Sequence, residues 1–184
     1  MIRILALSGS LRAASSNACA LSAAALLVPP GVTIEAYDEI GELPHFNPDL
    51  EANLPVRIVD LRARVGQADA LLIACPEYAR GIPGSFKNLL DWLVGSLEFP
   101  GKPVAMINTS PRASDAQAAL KLVLETMSAT LVQDACITLQ RLGKQTDPVT
   151  IANDPVSGEA LRHALTALVD HIATTSSECR ETLP

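Results

Sequence analysis

Within eight positions, Ser10, Arg12, Ser15, Ser16 and Asn17 follow the apolar run Ile2 to Leu7. A strand here must give way to a helix. A helix start exposes unpaired backbone amides with a positive partial charge, the three serine hydroxyls add donors, and Arg12 adds a two-pronged cation. That set suits a dianion. The stretch lacks the Gly-x-Gly-x-x-Gly pattern of dinucleotide loops and the Gly-Lys-Ser/Thr ending of nucleoside triphosphate loops, so a single terminal phosphate, as on a mononucleotide, fits better. The plain alternative is that Ser15, Ser16 and Asn17 only cap the helix, since these are preferred capping residues. Capping alone makes no use of Arg12.

A second chemistry-bearing stretch follows the run Ala70 to Cys75, which breaks at Pro76-Glu77-Tyr78, turns through Gly81-Ile82-Pro83-Gly84 and enters Lys87 to Trp92. This reads as buried strand, exposed loop and helix. A continuous apolar strand is covered on both faces, as in a parallel sheet, and ligands of such sheets settle on loops beyond the strands' carboxyl ends. Three of the six aromatic residues, Tyr78, Phe86 and Trp92, fall in this loop and helix start. The expectation is a flat ligand nearby.

Positioning these loops requires a regular scaffold. Strand-like runs recur at Ile2 to Leu7, Val32 to Tyr37, Ala70 to Ala74, Val104 to Asn108 and Thr130 to Leu139; helix-period segments lie at Asn17 to Leu27, Val56 to Gln67, Pro83 to Gly95, Ala116 to Met127 and Gly158 to Thr174. Unbroken alternation with right-handed crossovers predicts an α/β, flavodoxin-like, doubly wound five-stranded parallel sheet of order 2-1-3-4-5 with helices on both faces. Two connections, Asp38 to Pro55 and Gln140 to Val156, are long enough to flank a ligand or to be plain surface loops. The 184 residues fit one domain over 1–174, followed by a loose tail at 175–184.

Composition narrows the function. The chain is 48% hydrophobic and 18% charged with net charge -6 and no basic run, which disfavours nucleic acid as a partner. The four cysteines are widely spaced, and the bland expectation is reduced thiols in the cytoplasm. The apolar start is too short for a signal segment, and no run reaches the ~20 residues of a membrane helix. The histidines lack metal spacing, and Ser8-Gly9-Ser10 lacks the nucleophile elbow of serine hydrolases. Cys75 reads as a buried small hydrophobe. Leu89, Leu90, Trp92 and Leu93 make the third helix apolar on more than one face, which predicts a subunit interface there.

Taken together, Gly9-Ser10-Leu11-Arg12 with Ser15 and Asn17, then Pro76-Glu77-Tyr78, Gly81-Ile82-Pro83-Gly84 and Lys87-Asn88-x-x-Asp91-Trp92, resemble the NADPH-dependent FMN reductase family of quinone, chromate and azo-dye reductases. The resemblance runs from Ile2 to about Thr174. It implies FMN, with Ser10 to Asn17 (Ser10, Arg12, Ser15, Ser16, Asn17) on the phosphate, and Pro76, Glu77, Tyr78, Ala79, Arg80, Gly81 and Ser110 about the ring. It also implies NADPH or NADH as hydride donor, a quinone or similar small molecule as electron acceptor, and a homodimer or homotetramer. Hydride transfer between rings needs no protein acid or base, so the residues named are binding residues and none is catalytic. The other functional class is a flavodoxin-like electron carrier that binds FMN without oxidising NAD(P)H itself. Two departures stand out: Ala79 where members usually carry Asn, and Thr109 to Asp115 without the usual glycines. Arg80 and Arg112 add fixed cations to the site loops, suited to the extra phosphate of NADPH or an acidic substrate; as plain surface arginines they need no such role.

Overall fold

In the computed structural model, residues 1–12, 14–139, 142 and 147–181 are described, the side chains of 176–181 excepted. The strands β1 (Ile2–Ser8), β2 (Val32–Ala36), β3 (Ala70–Ala74), β4 (Pro103–Asn108), β5 (Thr130–Leu131) and β6 (Ile137–Thr138) form a parallel sheet of order β2-β1-β3-β4-β5, with β6 also paired to β4. This is the expected flavodoxin-like order. The expected fifth strand over Thr130 to Leu139 is instead two short pieces. A 3-10 turn at Gln133–Ala135 parts them, so β5 continues the start of β4 and β6 continues its end.

Helices α1 (Ser16–Leu26), α5 (Pro148–Asn153) and α6 (Ser157–Glu181) cover one face, while α2 (Val56–Gln67), α3 (Gly84–Val94) and α4 (Ser114–Thr126) cover the other. Helix α2 shows why: Ile58, Leu61 and Val65 recur at helical spacing and are buried, and the residues between them are largely wet. Strand β3 is buried along its whole length between the two layers. Each fully covered Leu or Ile there contributes about 1.5–3 kcal/mol relative to exposure. Helix α5 lies inside the connection expected as a long loop from Gln140 to Val156; residues 140, 141 and 143–146 of that connection lie outside the described residues. Helix α6 continues past Thr174 to Glu181, into the segment expected to be a loose tail.

The other long connection, Asp38 to Pro55, is held down by α3. The Asn88 amide accepts from the Phe46 N–H (2.7 Å) and donates to the Pro44 carbonyl (3.0 Å), which also accepts from the Trp92 indole (2.7 Å). Phe46 meets Trp92 edge-on at 5.0 Å. Arg57 pairs with Glu39 and Glu42, and Arg62 joins Glu51 to the Trp92 carbonyl. Trp92 and Phe86 are therefore core residues. They are fully buried and cannot face a flat ligand, contrary to the expectation from their clustering. Leu89, Leu90 and Leu93 are likewise spent inside this chain, which removes the reason for an interface on that part of α3.

Candidate functional site

Three loops at the carboxyl ends of β1, β3 and β4 enclose a cleft of about 740 Å³. Its lining includes every expected site residue from Ser10 to Tyr78, with Ser110; Ala79, Arg80 and Gly81 lie on the turn just beyond Tyr78. Ser15 caps α1 by accepting the Ala18 N–H at 3.0 Å, and Cys19 N–H bonds the Ser15 carbonyl. That leaves the amides of Ser16 and Asn17 and the Ser15 hydroxyl proton available, so one residue can serve as both cap and anion donor. The Ser10 hydroxyl accepts from the Arg12 N–H at 3.3 Å and fixes the bend of the loop. Among the described residues no carboxylate lies within ion-pair distance of Arg12.

Loop one touches the loop after β3 directly. The Gly9 N–H bonds the Ala74 carbonyl at 2.8 Å, and a Cβ at position 9 would meet Cys75 Sγ at 2.8 Å and Cys75 Cα at 3.1 Å. Only glycine permits that approach. Cys75 itself is buried as expected, and burial pushes its thiol up to about 12.

Beyond Pro76 the chain makes a tight hairpin. Tyr78 and Gly81 exchange both backbone hydrogen bonds (3.1 and 3.0 Å), with Ala79 at φ 50° and Arg80 at φ 62°. Two successive positive φ values define the type I′ turn, in which Asn and Gly are at ease and Ala and Arg are strained. Asn, which the resemblance noted in the sequence implies at position 79, would suit this backbone, whereas Ala79 lacks both that tolerance and the amide. Tyr78 stands at the lip, 52% exposed, and Arg80 leans to Asp115 at 3.5 Å.

The acid of this loop does something the sequence reading missed. Glu77 Oε2 accepts the amides of Asp115 (3.0 Å) and Ala116 (2.9 Å), the first turn of α4. Helix α4 has no cap of its own, because Ala113 occupies the cap position without a side-chain bond. The sequence hides this need, because Ser114 and Asp115, directly before the expected helix, are themselves capping residues by type. Two further residues were also missed. Gln117 donates to the Cys75 carbonyl at 3.2 Å, and Thr109 donates to Asn17 Oδ1 at 3.0 Å, which leaves the Asn17 NH₂ available to donate. Ser110 is set by its own N–H bonding Asn108 Oδ1 at 3.0 Å. Arg112 lines the cleft, and among the described residues it has no acid partner.

Comparison with known proteins gives the family and the fold. The profile of the NADPH-dependent FMN reductases matches residues 2–141. The chain belongs to this family. Similar members include an NAD(P)H-dependent FMN reductase of Pseudomonas aeruginosa, 43% identical over 112 residues (59% of this chain, 60% of that one). A 2-hydroxy-1,4-benzoquinone reductase of Burkholderia is 38% identical over 112 residues, covering 59% and 61%. The matched stretch thus spans about three fifths of these relatives' own length. Over the whole fold the chain resembles FerB, a flavoenzyme NAD(P)H:(acceptor) oxidoreductase of Paracoccus denitrificans, with TM-score 0.76, 28% identity and coverage of 95% and 98%. An archaeal flavodoxin at 12% identity, covering 94% and 99%, shares the fold (TM-score 0.61).

Proposed function

We propose that the chain is an FMN-dependent oxidoreductase that takes hydride from NADPH or NADH and passes it to quinones or similar small acceptors. The observation that carries this reading is the cleft itself: unspent anion donors at one end, an exposed tight turn at the other, and three loops tied together between them. The residues fit FMN. Ser10, Arg12, Ser15, Ser16 and Asn17 would hold its phosphate, and the backbone of Pro76 to Gly81 with Ser110 would hold the ring. Bound there, FMN supplies the two-electron chemistry, and the protein's part is binding, orientation and electrostatics. Arg12 neutralises phosphate charge, Ser110 offers a hydroxyl, and Tyr78 covers an apolar face with a polar tip in water. The activities for which the relatives are named, FMN reduction and hydroxybenzoquinone reduction, support this reading.

We further propose that the protein works in the cytoplasm as a homodimer or homotetramer, with neither nucleic acid nor membrane as a partner. No helix among the described residues is long and apolar enough to cross a membrane. Exposed apolar side chains left for a second copy are Val56 and Val59 on α2 and Val94 and Leu97 at the end of α3. The deciding experiment is the visible spectrum of the purified protein, with the heat-released cofactor identified and NADPH and NADH oxidation followed with and without a quinone. A yellow protein that releases FMN and consumes nicotinamide only with quinone supports the proposal. A colourless protein that takes up no FMN overturns it, and one that binds FMN but oxidises no nicotinamide is an electron carrier.

A further inference from the structure

We infer that Glu77 is the positioning residue of the cleft: its side chain works by fixing the ring loop to the loop after β4, not by touching the ligand. This rests on the FMN reading for its consequence, though not for its geometry. Two loops must face each other at a set separation to accept a planar group between them. One is the hairpin Pro76 to Gly81; the other is Thr109 to Ala113, which leads into α4. Glu77 lies at the base of the first and bonds two amides in the first turn of α4, just beyond the second, both through the same oxygen, Oε2. The start of α4 has no other cap, so these amides depend on Glu77. The Arg80 to Asp115 pair and the Gln117 bond to the Cys75 carbonyl join the same two segments on either side. Thr109 and Asn17 then connect loop four to the phosphate end. The three walls thus form one laced frame, with α4 as its common post. A frame ordered before binding spares the ligand the cost of ordering it.

The use of a single oxygen makes the idea separable from a charge effect. Glu77→Gln keeps the reach and places an amide oxygen on both N–H groups; Glu77→Asp keeps the charge but is one methylene short. Amide hydrogen exchange on the full chain without cofactor reads the frame directly. The expected result is that Glu77→Asp lowers protection of the Asp115 and Ala116 amides at least tenfold and speeds exchange in Tyr78 to Gly81, while Glu77→Gln stays within about threefold of the parent; a lost cap is worth about tenfold. On addition of FMN, Glu77→Asp should bind about tenfold more weakly with a raised KM for the nicotinamide donor, and Glu77→Gln should recover most of the affinity with an unshifted flavin midpoint potential. The opposite order, with Asp sparing and Gln damaging, or a shifted potential in Glu77→Gln, would show that Glu77 acts as an anion on the ligand and overturn the inference. Unchanged exchange at 115 and 116 in Glu77→Asp would overturn it too, whether or not the parent protein proves to bind FMN.

Discussion

Replacing Ala79 tests the turn at the mouth of the cleft, because its backbone sits at φ 50° and its neighbour Arg80 at φ 62°. An L-residue in the left-handed region costs roughly 1–2 kcal/mol, a cost that Asn largely escapes through local side-chain bonding. Ala79→Asn should therefore stabilise the protein by about 0.5–1 kcal/mol, half or more of the strain at one position. Val at the same place is β-branched and belongs among the true outliers at positive φ, so Ala79→Val should destabilise by about 1 kcal/mol or more. With a urea slope near 2 kcal/mol per M, the first variant should raise the unfolding midpoint by roughly 0.25–0.5 M and the second should lower it by at least as much. In thermal melts the stabilised variant should gain about 1–4 °C. Neither side chain has a packing partner to confuse the result, since Ala79 is exposed. Midpoints that move in the same direction for Asn and Val would refute the left-handed geometry of the turn.

Gly9→Ala should cost about 1–3 kcal/mol in urea unfolding because the new methyl meets Cys75 Sγ and Cα; adding Cys75→Ala should restore only part, as the contacts to backbone and to Pro76 remain. Asn88→Ala strips the Phe46 N–H of its partner and should cost about 1–3 kcal/mol, with faster limited proteolysis between Asp38 and Pro55 as the readout. Cys75 makes stability fall at high pH: its thiol ionises near 9.0 when unfolded but only near 12 when folded, so its contribution is intact below pH 9 and is lost as pH rises toward 12. At pH 10 that loss is about 1.4 kcal/mol, and Cys75→Thr should flatten the decline between pH 9 and 11 while leaving FMN binding largely intact. A decline of equal slope in the variant would sink that account, although Tyr37, also raised to about 12, contributes a similar fall from pH 10 in both proteins.

The alternation of strands and helices was readable because each element carries its own period and its own punctuation: α2 begins after Pro55 and is bounded at both ends as expected, at Val56 and Gln67. Local pattern failed where long-range partners decide. The run Thr130 to Leu139 reads as one strand, with only Gln133-Asp134 and no Gly or Pro to warn of the turn at Gln133–Ala135. Trp92 looked ligand-facing because proximity in sequence to the site loop hid its indole bond to Pro44, 48 positions away. The residues proposed for the phosphate end could be named from residue types alone, since a helix start with serines and an arginine gathers anion donors, and the structure brings Ser10, Arg12, Ser15, Ser16 and Asn17 to one cleft. The ring end does not. Glu77 was visible as a site residue, but its carboxylate is committed to a helix 38 positions onward, and Ser114 and Asp115, capping residues by type, conceal the need for it.

Quinones, the acceptors proposed for this protein, are alkylating agents as well as oxidants, and a thiolate lining a cleft that admitted them would be open to modification. Cys75 lines that cleft, yet its sulfur is turned under Gly9 and stays protonated to about 12. Only the thiolate is a competent nucleophile, so this sulfur offers an arriving electrophile almost nothing to react with. Close packing between two loops thereby gives the site chemical durability: the contact that excludes a side chain at position 9 also shields the sulfur from the reagents the enzyme would process.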